Sequence, residues 1–364
     1  MKILLITTAS NTVLNFRKDL IKHIQKRGHE VFVIVNDGKS NEEIEKLGVK
    51  LFSVEADNRN MNFLKNMVYK KRIRKIIINE KPDMVFTFQI KPNIFGTLSA
   101  KKYTRNIYSM VEGLGDVFVK KSLFWSLIRI IIGQMYKKSF KFVKKVFFLN
   151  KEDKDFFVNS KLLKESKAVI IDGIGINVED YTQKEIINFN TFVMVSRLIK
   201  SKGVIEYCKA AQLVREKGFE YRFILAGGES ELKMTDIQDY INRGDIQYIG
   251  YTSNIKQVLE DSTIFVLPSY YREGLPRSSM EAMALGRPIL TTNSVGCKET
   301  VIEGYNGLLC NPKDEIDLSN KMIEIMSNKK NIICYGNNSR ELVVKRFNQE
   351  KINNIILAHI FENN

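Results

Sequence analysis

Residues Ser269–Gly286 read SYYREGLPRSSMEAMALG, and this stretch decides how the rest of the chain folds. Before it runs TIFVL, Thr263–Leu267, a buried strand by composition. Pro268 and a polar loop holding Gly274 follow. Pro276 suits a first helical turn, because it has no N–H to leave unpaired. From Arg277 the spacing predicts a helix to Leu285, with Met280, Ala284 and Leu285 on its inner side and Gly286 as its stop. Strand, loop and helix in this order turn the free N–H groups of the helix start back over the end of a sheet, which is an anion-binding geometry. Glu273 and Glu281 flank that position. A carboxylate repels a phosphate, so both are read as acceptors for hydroxyl groups on either side of the anion. An anion between two sets of hydroxyls describes a nucleoside-diphosphate sugar.

Strand and helix alternate outward from this stretch in both directions. Lys2–Thr7 and Val31–Val35 are apolar strands around a helix expected over Leu14–Lys26. A long basic helix is expected over Phe63–Asn79, and short strands at Met84–Phe86 and Asn106–Met110, the latter running into Val111-Glu112-Gly113-Leu114-Gly115. Polar residues Val178–Asn190 read as a linker, after which the alternation restarts at Thr191–Val195. The expected fold is α/β, with two Rossmann-like domains facing a central cleft. Residues 1–175 with a returning C-terminal helix, 347–364, form one domain, and 176–346 the other. Ligands of such sheets sit at the carboxyl ends of the strands.

Composition narrows the function classes. A chain of 364 residues is long enough for two cores, and 44% hydrophobic with 27% charged residues fits a globular protein. No apolar run reaches the roughly 18 residues that span a bilayer. The start, MKILLITTAS, reads as a strand rather than a signal peptide. Four cysteines without ligand spacing and three scattered histidines argue for a reduced, cytoplasmic protein without a metal site. Asp153-Lys154-Asp155 mimics a metal-binding pair but falls at a helix start, where a solvated first turn is expected. The net charge of +16 calls for an anionic partner, although lysine-rich bias gives the same number. With no compact recognition module, nucleic acid is set aside.

A second anion site is predicted in Ser196-Arg197-Leu198-Ile199-Lys200-Ser201-Lys202-Gly203, between a strand and a helix. Arg197 can chelate a diphosphate in fork geometry and Lys202 adds a point charge.

With Glu273-Gly274-Leu275-Pro276, Glu281-Ala282-Met283-Ala284-Leu285-Gly286, Arg197 and Lys202-Gly203, the chain resembles retaining GT-B glycosyltransferases of the large bacterial family GT4. The resemblance spans nearly the whole chain. Its Val111–Gly115 segment and the basic, aromatic helix after it look most like enzymes that extend undecaprenyl-diphosphate-linked sugars, such as the N-acetylgalactosaminyltransferases of bacterial protein glycosylation. What the resemblance implies is a retaining transfer of GalNAc, or another hexose or N-acetylhexosamine, from a UDP-sugar in surface-glycan or glycoprotein assembly. The acceptor would be a polyprenyl-diphosphate-linked saccharide, at the inner face of the cytoplasmic membrane. Arg197 and Lys202 would neutralise the leaving diphosphate, without metal or cofactor. Glu281 would hold the ribose, Glu273 the donor sugar, and the backbone at Gly274 and Leu275 the sugar and phosphate. Gly227 and Pro276 complete the donor side. On the acceptor side, Asn11 in the first turn is a candidate cleft residue, and Glu112, where the chain departs from the family pattern, is the candidate polar contact. Many members of the family carry a histidine where this chain has Glu112, so its role is open between a contact to the acceptor hydroxyl, a contact to the C6 region of the donor sugar, and a loop cap. A soluble acceptor and a nucleotide-sugar epimerase are the alternatives, the latter disfavoured by scarce histidines. The Leu123–Phe142 segment is expected to bury one face while Phe124, Trp125 and flanking lysines, Lys120 and Lys121 among them, meet a bilayer surface.

Overall fold

The computed structural model describes residues 1–36, 41–55, 63–114 and 122–361, without the side chains of Asn41 and Phe63. Gly115, Lys120 and Lys121 lie outside the described residues. The chain forms two units, Met1–Ile174 with Glu350–Asn364, and Gly175–Gln349.

The first unit runs β1 (Lys2–Ile6), α1 (Ser10–Phe16), α2 (Lys18–Lys26), β2 (Glu30–Val35), α3 (Asn41–Glu45), β3 (Lys50–Ser53), α4 (Phe63–Glu80) and β4 (Met84–Phe88). A π-helical turn, Pro92–Gly96, leads into α5 (Thr97–Ala100). Then come β5 (Asn106–Val111), α6 (Leu123–Phe140), β6 (Lys145–Phe148), α7 (Lys151–Asn159) and β7 (Ala168–Ile170). Among the described residues the strands make one seven-stranded sheet, ordered β3-β2-β1-β4-β5-β6-β7, and every pairing is parallel. Its strands are near-continuous apolar runs because helices cover both faces. Leu4, Ile6, Ile34 and Val85 pack on one side, and Ile3, Leu5, Val33 and Phe86 on the other.

The second unit runs β8 (Thr191–Val195), α8 (Val204–Glu216), β9 (Arg222–Ala226), α9 (Gln238–Asn242), β10 (Gln247–Gly250), α10 (Ile255–Glu260), β11 (Ile264–Leu267) and α11 (Arg277–Ala284). β12 (Ile289–Thr292), β13 (Gly307–Cys310), α12 (Glu315–Met326) and α13 (Lys329–Arg346) follow. Its parallel sheet is ordered β10-β9-β8-β11-β12-β13. The last helix, α14 (Gln349–Phe361), carries Ile352, Ile356, Leu357 and Ile360 into the core of the first unit. There the Tyr108 hydroxyl donates to the Ile360 carbonyl at 3.3 Å. In both sheets the order of strand addition switches to the other side of the first strand, between β1 and β4 and between β8 and β11. Those are the switch points where α/β sheets open a crevice.

Several expectations need correcting. The helix expected over Leu14–Lys26 is two helices, broken at Arg17, whose backbone leaves the helical region at φ −121°, ψ −13°. β12 and β13 went unread, being four residues each. The first turn of α7 is not wholly solvated: Asp153 is fully buried, its N–H capped by the Asn150 side chain at 2.8 Å. The segment read as a linker is tied down. The fully buried Arg287 donates to the Lys184 carbonyl at 2.6 Å, and Arg340 donates to the carbonyls of Tyr181 at 2.8 Å and Ala284 at 2.7 Å.

All four cysteines are free thiols, with Cys208, Cys297 and Cys310 buried. Among the described residues no helix is long and apolar enough to cross a membrane.

Candidate active site

The second unit gathers its candidate residues at the β8/β11 switch point. After β8 the chain passes exposed Arg197 and enters a 3₁₀ turn, Lys200–Lys202, which ends at Gly203. Gly203 has φ +81°, and a Cβ there would lie 2.1 Å from the Pro268 carbonyl oxygen, so only glycine lets this turn lie against the end of β11. The two loops are stitched together through the backbone. The Ser201 carbonyl accepts from the N–H groups of Tyr270 and Tyr271, each at 2.9 Å.

That contact brings Lys202 onto Glu273, and the two form an ion pair. Glu273 is buried, and the fully buried Ser269 hydroxyl lies 3.0 Å from the same carboxylate oxygen. The Glu273 N–H donates to the Val295 carbonyl at 3.2 Å. Behind the loop stands Gly296 at φ +86°, where a Cβ would lie 2.4 Å from the Glu273 carbonyl oxygen. Gly296→Ala is therefore expected to push the Glu273 loop outward. Displacement on the scale of 1 Å costs about 10²-fold in rate, so kcat should fall by that order, with a drop of only a few degrees in melting temperature. Unchanged kcat would mean that the loop position does not matter.

Pro276 is the N-cap of α11 rather than its first helical residue, at φ −67°, ψ 117°, and no side chain caps the helix start. The short chain between Glu273 and Pro276 holds Gly274 and Leu275, both half-buried. One turn into α11, Glu281 accepts from Arg277 Nε at 2.8 Å and from the Tyr181 hydroxyl at 3.0 Å. Burial alone would lower the Arg277 guanidinium, but the Glu281 charge and the Tyr181 hydroxyl outweigh it and hold it above its usual value. Burial, then the Glu281 charge, push the Tyr181 phenol up, so it stays a donor at neutral pH. Each carboxylate of the Glu-x7-Glu spacing thus sits against a cation. Arg197 is different: among the described residues its guanidinium forms no ion pair, which leaves it open to an anion. Gly227 follows β9, next to the β8 loop, and its carbonyl accepts from the Tyr248 hydroxyl at 2.8 Å. Cys297 lies beside this site, but burial, followed by the Glu273 charge, pushes its thiol up to about 12 and keeps it unreactive.

The first unit places Asn11 and Glu112 at the carboxyl ends of β1 and β5. Asn11 is exposed on the first turn of α1. Glu112 follows β5 directly and forms an ion pair with Arg17, which is almost fully buried. The Arg17 guanidinium also lies 4.1 Å from the centroid of the Phe88 ring. Burial draws that guanidinium down to about 9, still above neutral pH, so Glu112 faces a charged partner. Glu112 thus sits against a cation, as Glu273 and Glu281 do.

Sequence reasoning missed four residues that shape these sites. Arg17 and Gly296 carry no local signal; their roles exist only through distant partners. Ser269 and Gln89 are the others. Gln89 follows β4 at φ +71°, a strained position for a residue with a side chain, and its Oε1 accepts from the Thr8 N–H at 3.0 Å and the Thr7 hydroxyl at 3.2 Å. No group of three or more His, Cys, Asp or Glu is placed to hold a metal among the described residues.

Two family models match the chain. One, described as glycosyl transferases group 1, covers residues 178–342, and the other, glycosyl transferase 4-like, covers residues 2–150. Over 349 residues the chain is 32% identical to the N,N'-diacetylbacillosaminyl-diphospho-undecaprenol alpha-1,3-N-acetylgalactosaminyltransferase of Campylobacter jejuni, spanning 91% of this chain and 90% of that one. It is 26% identical to the UDP-Gal:alpha-D-GlcNAc-diphosphoundecaprenol alpha-1,3-galactosyltransferase of Escherichia coli, across 82% and 80% of the two chains. Among solved structures, an Anabaena protein crystallised in complex with UDP superimposes with a TM-score of 0.80 over 98% of both chains, at 17% identity.

Proposed function

The chain belongs to the group 1, GT4-like glycosyltransferases and has their GT-B fold, and on that footing we propose that it transfers a sugar from a UDP-sugar to an undecaprenyl-diphosphate-linked saccharide, with retention of anomeric configuration. The observation that carries the donor side is the β8/β11 switch point. There an open cation, Arg197, a Lys202–Glu273 ion pair and an uncapped helix start converge at the carboxyl ends of two neighbouring strands.

The proposed roles follow from charge. Arg197 and Lys202 meet the diphosphate, and their charges grow more favourable as the leaving group takes up negative charge, which lowers the barrier. The uncapped N–H groups at the start of α11 add a partial positive charge. Glu281, oriented by Arg277 and Tyr181, accepts from the ribose hydroxyls. Glu273, held at Ser269, contacts hydroxyls of the transferred sugar and keeps Lys202 aligned. The acceptor hydroxyl attacks from the face the diphosphate leaves. In the first unit, Glu112 is proposed on the acceptor side, its orientation fixed by Arg17.

Support for the lipid-linked acceptor comes from the two relatives named for diphospho-undecaprenol substrates. GalNAc is the first donor sugar to try, on the more similar of the two. The protein is proposed to work at the periphery of the cytoplasmic membrane.

The test is a screen of UDP- and GDP-sugars against polyprenyl-diphosphate-linked saccharides, with the anomeric configuration of the product read by NMR. An inverted product overturns the retaining mechanism. Turnover of free sugars only, or interconversion of nucleotide sugars without acceptor, overturns the acceptor. The same assay with EDTA is expected to keep activity within about twofold, since fixed cations and a helix terminus supply the charge. Loss of activity that Mg²⁺ or Mn²⁺ restores would refute the charge account.

A further inference from the structure

One residue of the first unit holds a backbone conformation that ordinary side chains avoid, in a place where no surface turn asks for it. Among the described residues other than glycine, φ is left-handed at Lys81, Gln89, Lys161 and Lys313. The three lysines are exposed. Gln89 is half-buried at the carboxyl end of β4, with φ +71°. Strain of this kind persists only where the surroundings over-determine it, and it gathers at functional sites. At Gln89 it turns the chain from strand to helix within one residue, so that the Gln89 carbonyl already accepts from the Asn93 N–H at 3.0 Å.

The side chain is fixed as firmly as the backbone. Gln89 Oε1 accepts from the Thr8 N–H at 3.0 Å, from the Thr8 hydroxyl, and from the Thr7 hydroxyl at 3.2 Å. A backbone N–H can only donate, so the oxygen of the amide, and not its nitrogen, faces the end of β1. The nitrogen arm, with two N–H donors, points away from Thr8. Among the described residues it makes no hydrogen bond.

Position decides what those donors can serve. The sheet order sets β4 between β1 and β5. Ile6 of β1 pairs with Thr87, and Met110 of β5 pairs with Phe88. Gln89 therefore leaves the sheet one residue past the Phe88–Met110 pair. Glu112 lies two residues past Met110 on the adjacent strand, about 5 Å across. On the other side the chain leaves β1 for Asn11 on the first turn of α1. Gln89 thus spans the β1/β4 switch point, where ligands of α/β sheets bind. The β5 side is pinned as well. Asn93 Nδ2 donates to the Met110 carbonyl at 2.8 Å, and Asn93 Oδ1 accepts from the Thr87 hydroxyl at 2.8 Å, both side chains fully buried. Three strand ends are locked together, which holds the open amide donors in one place before any ligand arrives.

A neutral amide with two open N–H donors suits an oxygen of a sugar, whereas a diphosphate calls for cations or helix starts. We propose that Gln89 binds the acceptor saccharide, its amide nitrogen donating to a sugar hydroxyl or an acetamido carbonyl while its amide oxygen stays on Thr8. This rests on the saccharide acceptor proposed above and gives that side a specificity-determining residue. A site built to donate to a substrate oxygen discriminates against analogues that lack it.

Gln89→Glu separates the two arms of the amide. It keeps the shape and an oxygen for Thr8, and it replaces both donors by an acceptor. Gln89→Met, which brings no charge, loses both arms. The whole protein is titrated calorimetrically with N-acetylglucosaminyl-diphospho-farnesol, with glucosyl-diphospho-farnesol and with UDP, and melting curves check that each variant is folded. Both variants are expected to bind the acetamido probe about tenfold or more weakly, with the Kd for UDP unchanged. A loss confined to the acetamido probe assigns the carbonyl as the partner, and equal losses on the two probes assign a hydroxyl. Wild-type probe affinity in folded Gln89→Glu would mean that Gln89 only anchors Thr8. That result would overturn the assignment and leave the function standing. An equal loss of UDP affinity would overturn it too, by putting Gln89 on the donor side. A wild-type protein that binds neither probe would overturn the lipid-linked acceptor itself, and the role of Gln89 with it.

Discussion

Glu273→Gln is expected to reduce transfer by about 10²–10³-fold, the range seen when one preorganised electrostatic group is removed from a site, while the affinity for free UDP rises. The two effects separate because Glu273 holds Lys202 in an ion pair. Glutamine keeps the shape and an acceptor for Ser269, but leaves the Lys202 ammonium uncompensated. A released unit charge near a bound diphosphate strengthens it by on the order of 1 kcal/mol at a partly solvated site, so the Kd for UDP should tighten several-fold. Lys202→Met is expected to lower both rate and UDP affinity. Calorimetric titration of UDP beside steady-state kinetics checks the pair. Equal loss of affinity and rate in Glu273→Gln would mean that the carboxylate itself helps to hold the nucleotide. Wild-type rates in either variant would remove the Lys202–Glu273 pair from the site.

The second large effect is on stability. Arg17→Leu is expected to cost about 3 kcal/mol, the lower end for breaking a buried ion pair, because Glu112 retains some access to water. In a unit of this size that lowers the melting temperature by roughly 6–12 °C. Adding Glu112→Leu should restore most of it, since replacing both members of such a pair by apolar groups is often neutral or better. The double variant then separates two roles of Glu112. If it melts near the wild type and transfers sugar, Glu112 serves only to neutralise Arg17. If it melts near the wild type and is inactive, with the donor still bound, the carboxylate acts on the acceptor side.

What could be read in advance was what the chain encodes locally. The strand–loop–Pro–helix order of Ser269–Gly286, the Glu-x7-Glu spacing and the basic turn before Gly203 are contiguous signals, and the structure joins the last two through Lys202 and Glu273. The alternation of apolar runs gave both parallel sheets for the same reason. β12 and β13 escaped because ILTT and GLLC are short and lie among glycine, proline and asparagine. Arg17 looked like an ordinary helical arginine; its burial depends on Glu112 and Phe88, far away in sequence. Gly296 resembles any loop glycine until the Glu273 carbonyl is found 2.4 Å from where its Cβ would be. The buried Asp153 was misread because exposure of a helix's first turn is set by what packs over it.

The return of α14 to the first unit also bears on how the chain emerges from a ribosome. The core of that unit lacks Ile352, Ile356, Leu357 and Ile360 until residues 175–349 have been made. At bacterial elongation rates, that interval lasts about 10–35 s. Through it the first unit waits with an open apolar face beside the β5 hydroxyl of Tyr108, and the second unit has its last residue before α14 is made. Birth order and completion order are thus reversed, and the earlier-made half is the one exposed to chaperones and proteases.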